Sequence, residues 1–216
     1  MTEPRRVLRF NLADRLAHWA LALSFILLFL TGAGLVFRGL GHLLGPSGLR
    51  FSSGLHHLLA YVFTFGPVAI LLFGTPATAR EWLRSIFTWN REDFAFLGGF
   101  AKEFFGLKPK LPQQGKFNAG EKVNSLITIF GSLLMGVTGW IMLYRSAFPK
   151  VVLAWAYPLH DAGALLMGSV ILGHIYLALV HPGSRESIHG MLSGTVSETF
   201  AREHHARWYE SISKSA

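Results

Sequence analysis

Four long apolar stretches alternate with polar segments along the chain: Leu16 to Val36, Leu55 to Thr75, Val123 to Leu143, and about Tyr157 to Val180. Each reaches the ~20 residues of helix that cross a hydrocarbon core ~30 Å thick. With their flanks they predict transmembrane spans over about 14–38, 53–76, 120–144 and 155–181, followed by a tail over 182–216. The first stretch lacks a small-residue cleavage site, and its Gly32-Ala33-Gly34 run lies inside a continuous helical pattern, so it reads as a span and not as a signal peptide. The stretch from about Pro76 to Glu121 is too long for a structureless loop in a compact protein. Within it, Ala79 to Phe87 has the period of an amphipathic helix lying along the membrane surface, with Trp82, Ile86 and Trp89 as interface anchors. Arg185 to Tyr209 carries a similar pattern, while the last dozen residues fit a solvated helical tail equally well. No internal repeat or low-complexity tract is evident. The fold class is all-α: an integral membrane four-helix bundle with cytoplasmic interfacial helices, forming a single membrane domain over 1–216.

Charge orients these spans. Only 15% of the residues are charged, against about 25% in soluble domains, as suits a surface facing lipid. The net charge of +8 therefore reports membrane-proximal loops and does not point to nucleic acid. Of twenty Lys and Arg residues, sixteen fall before span one, between spans two and three, or in the tail. Only Arg38, Arg50, Arg145 and Lys150 fall in the other two loops. The positive-inside rule places both termini and the long middle segment in the cytoplasm.

The chemistry lies in the histidines. With no cysteine, the chain has no thiolate metal site and no all-cysteine iron–sulfur cluster. It has ten histidines, and an ionisable side chain within a span is a functional-site candidate by default. In the predicted topology His18 and His174 share the inner level, and His56 and His160 share the outer level. His160 and His174 are fourteen residues apart, which is ~3.9 turns and ~21 Å of helix, so they share a face one above the other. An imidazole pair from facing helices makes the six-coordinate iron of an electron-transfer haem, with no open position for substrate. The depth pairing thus predicts two b haems, with His18 and His174 as the iron (metal) ligands of the inner one and His56 and His160 of the outer one. His57, about 100° around the helix from His56, competes with it as the span-two ligand. Gly32, fourteen residues after His18 on the same face, would leave a gap for the outer porphyrin. His181 reads as interfacial, and His42, His189, His204 and His205 as solvated or at headgroup level. A haem-free anchor or small transporter that uses its histidines for packing or proton relay is the reading of a different class.

Several stretches carry a resemblance: Arg9-Phe10-Asn11, Arg15-Leu16-Ala17-His18-Trp19, Leu55-His56, Phe117-Asn118-Ala119-Gly120-Glu121-Lys122, His160, His174-Ile175-Tyr176, and His204-His205-Ala206-Arg207-Trp208-Tyr209. Across almost its whole length the chain resembles the cytochrome b (gamma) subunit of respiratory formate dehydrogenases, within the wider family of bacterial dihaem cytochromes b. The resemblance implies a partner iron–sulfur (beta) subunit and a molybdenum or tungsten catalytic (alpha) subunit at the outer face. It implies electron transfer through two haem b groups to a membrane quinone, menaquinone or ubiquinone, near the cytoplasm. It makes the chain the quinone-reacting subunit of an oxidoreductase, remote from the formate chemistry. The family's quinone pocket falls here on His174, Asn118 and Gly120. Asn118 also suits the N-cap of span three. Lys122 suits either neutralisation of a reduced headgroup or a positive-inside anchor. The family often has Gln at the position of Glu121; the carboxylate is expected to be solvated at the loop edge, with proton relay as the alternative. The His-x13-His pair is shared with hydrogenase cytochromes, so a dihaem subunit of a membrane hydrogenase or another periplasmic dehydrogenase is the alternative function.

Overall fold

A computed structural model describes residues 5–105, 107 and 109–214; the first four residues and the last two of the expected tail lie outside the described residues. In chain order the elements are β1 (Arg6–Leu8), α1 (Leu12–Val36), α2 (Arg38–Gly74), α3 (Pro76–Phe87), α4 (Arg91–Phe104), α5 (Ala119–Leu143), α6 (Lys150–Leu179), α7 (Ser187–Leu192), β2 (Thr195–Ser197), α8 (Glu198–His204) and α9 (Ala206–Ser213), with a 3₁₀ turn at Arg145–Ala147. Four of these helices, α1, α2, α5 and α6, are long and apolar enough to cross a membrane. Few of their residues are buried within the chain, and large apolar side chains such as Leu30, Phe65, Leu133 and Leu166 are exposed along them. In water such surfaces would be a liability; against lipid tails they carry no cost.

The helix bearing the second span is longer than its apolar stretch. It begins at Arg38 and is broken once, at Gly45, where φ is 65°. Glycine takes this left-handed conformation without a Cβ penalty, and Pro46 restarts the helix at a position where its missing N–H is not needed. Pro67 and Pro158 lie inside α2 and α6.

The chain forms two compact units. One comprises 13–76 and 128–172 and holds most of the four long helices. Its core is Phe25, Phe63 and Met167, ringed by Leu21, Leu28, Phe29, Met135 and Ile171. Small residues let the helices approach. A Cβ at Gly131 would lie 2.5 Å from the Met167 sulfur, and one at Gly168 would lie 2.8 Å from the Phe29 ring. Without a hydrophobic drive between helices in lipid, such close packing is what holds them together.

The other unit comprises 1–12, 77–127 and 173–216. Here β1 pairs antiparallel with β2, Val7 opposite Val196, and brings the N-terminal segment onto the tail. Val196, Phe200, Ala201 and Trp208 form its core, with Val7, Tyr209 and Ile212 packed against it. The single amphipathic helix suggested by Arg185 to Tyr209 is thus replaced by α7, β2, α8 and α9. Ser197 caps α8 by accepting from the Phe200 amide at 3.1 Å, ending the strand and starting the helix at one residue. Three-residue strands leave too little alternation to read in a sequence. Two further expectations fail in this unit. Ile86, placed at the interface by its amphipathic pattern, is wholly buried. His205, expected to be solvated, is 1% exposed, because its ring is tied to the 113–116 segment.

Candidate functional site

The outer pair is the part of the site that the structure assembles most fully. His56 on α2 and His160 on α6 stand with ring centroids 6.4 Å apart and ring planes at 63°. Metal–imidazole bonds of about 2 Å, with ~1.1 Å from nitrogen to ring centre, put two trans imidazoles on one iron roughly 6 Å apart, centroid to centroid. The observed separation fits one metal between the rings. His57, the competitor, is exposed, whereas His56 is half-buried.

Each ring has the same support. His56 Nδ1 lies 2.9 Å from Thr31 Oγ1 on α1, and His160 Nδ1 lies 2.9 Å from Thr138 Oγ1 on α5. The next residue is glycine in both cases. A Cβ at Gly32 would lie 3.3 Å from His56 Cε1, and one at Gly139 would lie 3.3 Å from His160 Cε1. Gly32 therefore makes room for the imidazole edge. With Nδ1 and Cε1 turned to the threonine–glycine pair, Nε2 is the nitrogen left for a metal.

The expected inner ligands, His18 and His174, belong to different compact units. His18 is half-buried near the start of α1, beside Trp19. His174 is exposed on α6, on the same unbroken helix as His160. The fourteen-residue spacing thus keeps its ~21 Å rise.

The expected quinone residues Asn118 and Gly120 sit at the start of α5, in the same unit as His174. Asn118 is the helix cap: its Oδ1 accepts from the Glu121 amide at 2.9 Å, and Glu121 Oε2 accepts from the Asn118 amide at 3.0 Å. This is a reciprocal capping box. Gly120 suits it, since a Cβ there would come within 3.2 Å of Asn118 Oδ1. Glu121 stays partly exposed at the loop edge, its side chain 32% exposed, and it is also ion-paired there. Its two oxygens each accept from Arg9 Nη2 at 2.9 Å, and Arg9 is 3% exposed. Arg9 also donates to the Lys116 carbonyl at 2.7 Å, fixing the segment before α5.

Lys122 is engaged in an internal ion pair with Asp93. It is 7% exposed, and its ammonium donates to both oxygens of the buried Asp93 and to the Thr88 carbonyl. His205 lies beyond the same segment, with Nδ1 2.8 Å from the Gly115 carbonyl. Burial, then the neighbouring Arg9 charge, pushes its pKa down to about 4, so it is neutral at ordinary pH. Asp93 is a residue here that sequence patterns did not single out, and Arg9 and His205 stood out only within the stretches of resemblance or as solvated, not as partners of this segment. The Asn-x-x-Glu spacing of the cap was readable; the partners of Lys122 and Glu121, distant in sequence, were not.

Residues 9–194 match the model of the family described as prokaryotic cytochrome b561. The chain belongs to that family. Cytochromes b carry haem b, and four apolar helices within such a family make this a multi-pass membrane protein of electron transfer. Among curated relatives, it is 28% identical to the cytochrome b556(Fdn) subunit of the nitrate-inducible formate dehydrogenase of Escherichia coli K12, over 99% of this chain and 95% of that protein. It is 28% identical to the E. coli cytochrome b556(fdo) subunit of formate dehydrogenase, over 96% and 94% of the two chains. It is 27% identical to the formate dehydrogenase cytochrome b556 subunit of Haemophilus influenzae, over 94% and 82%.

Proposed function

We propose that this chain is the cytochrome b subunit of a formate dehydrogenase, carrying electrons from an iron–sulfur subunit at the outer face of a bacterial inner membrane, through two b haems, to a quinone near the cytoplasm. The near full-length likeness to formate dehydrogenase cytochrome b556 subunits supports the assignment of the complex. The observation that carries the haem reading is the 6.4 Å between the His56 and His160 rings. Bound there, haem b would supply a one-electron redox centre held by His56 and His160. His56 and His160 bind the outer iron through Nε2, and Thr31 and Thr138 hold the rings. His18 and His174 bind the inner iron, an assignment that rests on their shared depth in the predicted topology.

The quinone headgroup binds at the start of α5. The oxygen of the Asn118 amide is already committed to the Glu121 amide, so its Nδ2 donates to a quinone carbonyl. His174 offers its second ring nitrogen from the inner-haem side. Glu121, held by Arg9, shapes this segment, and Lys122 takes no part. With both termini and residues 76–121 in the cytoplasm, protons for quinone reduction come from inside while electrons arrive from outside, which builds membrane potential without a pump.

The test is purification of the tagged chain with its natural complex. Co-purification of an iron–sulfur and a molybdenum or tungsten subunit, with haem α-bands reduced by formate, is the expected result. Reduction by hydrogen and not by formate would assign the chain to a hydrogenase.

A further inference from the structure

We propose that Thr31 and Thr138 are positioning residues that fix the tautomer of the outer histidine pair and set the electron donation of both rings to the iron; this rests on the haem reading above. A threonine hydroxyl has one proton. Thr31 donates its proton to the Leu27 carbonyl at 2.8 Å, and Thr138 donates its own to the Leu134 carbonyl at 2.7 Å. A hydroxyl that gives its proton to that carbonyl presents only lone pairs to the histidine Nδ1 at 2.9 Å, so in this arrangement the oxygen accepts and Nδ1 carries the hydrogen. Nε2 is then a lone-pair nitrogen before any metal arrives. The opposite tautomer would have to draw the hydroxyl proton away from its i−4 carbonyl to the Nδ1 lone pair.

A threonine bonded to its own i−4 carbonyl is common inside membrane helices, and taken singly either contact would be ordinary packing. The arrangement, however, occurs twice, on two different helices. The same atoms meet at the same 2.9 Å, and a following glycine admits the ring edge at the same 3.3 Å. The acceptor is also neutral. Outer partners of metal-bound histidines are often carboxylates, which push strongly on the ring; a hydroxyl already spending its proton on a carbonyl pushes less. Both ligands of one site thus receive the same moderate push, which tunes the haem potential without a buried charge.

The experiment is a redox titration of the two haems in the purified complex, with haem stoichiometry and low-temperature α-band spectra, for wild type, Thr31→Val, Thr138→Val, the double Val variant and the two Thr→Ser variants. Removing the acceptor weakens donation to the ferric iron. Each Val variant should therefore raise the potential of one haem and move its α-band, the double variant should raise it further, and the Ser variants should stay at the wild-type value. If a Val variant loses that haem while its Ser counterpart keeps it at the wild-type potential, the result supports the proposal as well. Val variants with wild-type potential and spectra would overturn it, as would Ser variants that shift, or lose haem, as much as Val. A wild-type complex without bound haem, or His56→Ala and His160→Ala variants that keep both haems, would refute the haem reading itself, a separate failure.

Discussion

Asn118 has two jobs in this account, and a pair of substitutions separates them. Its Oδ1 caps α5 through the Glu121 amide at 2.9 Å, and its Nδ2 serves the quinone. Ser is about as good an N-cap as Asn, whereas Ala loses about 1 kcal/mol of helix stability. Asn118→Ser should therefore melt within about 0.5 kcal/mol of wild type, and Asn118→Ala about 1 kcal/mol below it. Ala leaves half of the capping box in place, since Glu121 still accepts from the residue-118 amide and remains bound by Arg9. Both variants lack the amide donor. One hydrogen bond is worth about 1 kcal/mol, so each should weaken binding of a quinone-site inhibitor roughly fivefold. Both should keep two haems. The assays are thermal unfolding in detergent, inhibitor titration, and stopped-flow reoxidation of the reduced cytochrome by a soluble quinone analogue. If Asn118→Ser reoxidises and binds inhibitor like wild type while Asn118→Ala falls in melting temperature alone, the residue is a cap and nothing more, and the quinone belongs elsewhere.

Other consequences follow from the same unit and from the topology. Lys122→Met strands the buried Asp93 carboxylate and should cost about 3–5 kcal/mol, seen as a lower melting temperature; Lys122→Met with Asp93→Leu should recover most of it. His205 has a folded pKa of about 4, below its ordinary value near 6.5, so the unfolded chain binds the proton more readily. Stability from its neutral state is complete above pH 6.5 and falls by roughly 3 kcal/mol as pH drops toward 4; His205→Gln should flatten melting temperature against pH over that window. Reporter fusions after Arg38 and Lys150 should read external, and one at Gln114 cytoplasmic; a cytoplasmic signal at Lys150 would overturn the orientation.

Helix length and composition made α1, α2, α5 and α6 readable, because spanning a bilayer demands some twenty apolar residues in a row and little else does. Depth alone paired His56 with His160, since each span's direction is fixed by the loop charges. Spacing did not choose between His56 and His57, which are neighbours in the chain; Thr31 and Gly32 stand opposite His56, and the proposal of His56 as the ligand leans on that placement. Gly32 was legible as a gap, but its partner Thr31, and the same pair repeated at Thr138-Gly139, emerged only when α1 met α2 and α5 met α6. The charged cluster around α5 stayed hidden for a related reason. Arg9 and Glu121 are 112 residues apart, and Lys122 and Asp93 are 29 apart, so no local pattern links them. Lys122 and His205 carry a sequence signal of exposure, and burial with specific partners reverses it. The β1–β2 pair is too short for period-two alternation to show.

The central claim is that one haem iron sits between His56 and His160. The most direct test is haem stoichiometry of the purified complex, with the low-temperature α-band, for His56→Ala, His160→Ala and His57→Ala. The wild type should carry two b haems in this chain; His56→Ala and His160→Ala should each lose the same one, and His57→Ala should keep both. Loss of haem in His57→Ala with both retained in His56→Ala, or loss of different haems in His56→Ala and His160→Ala, would contradict the account.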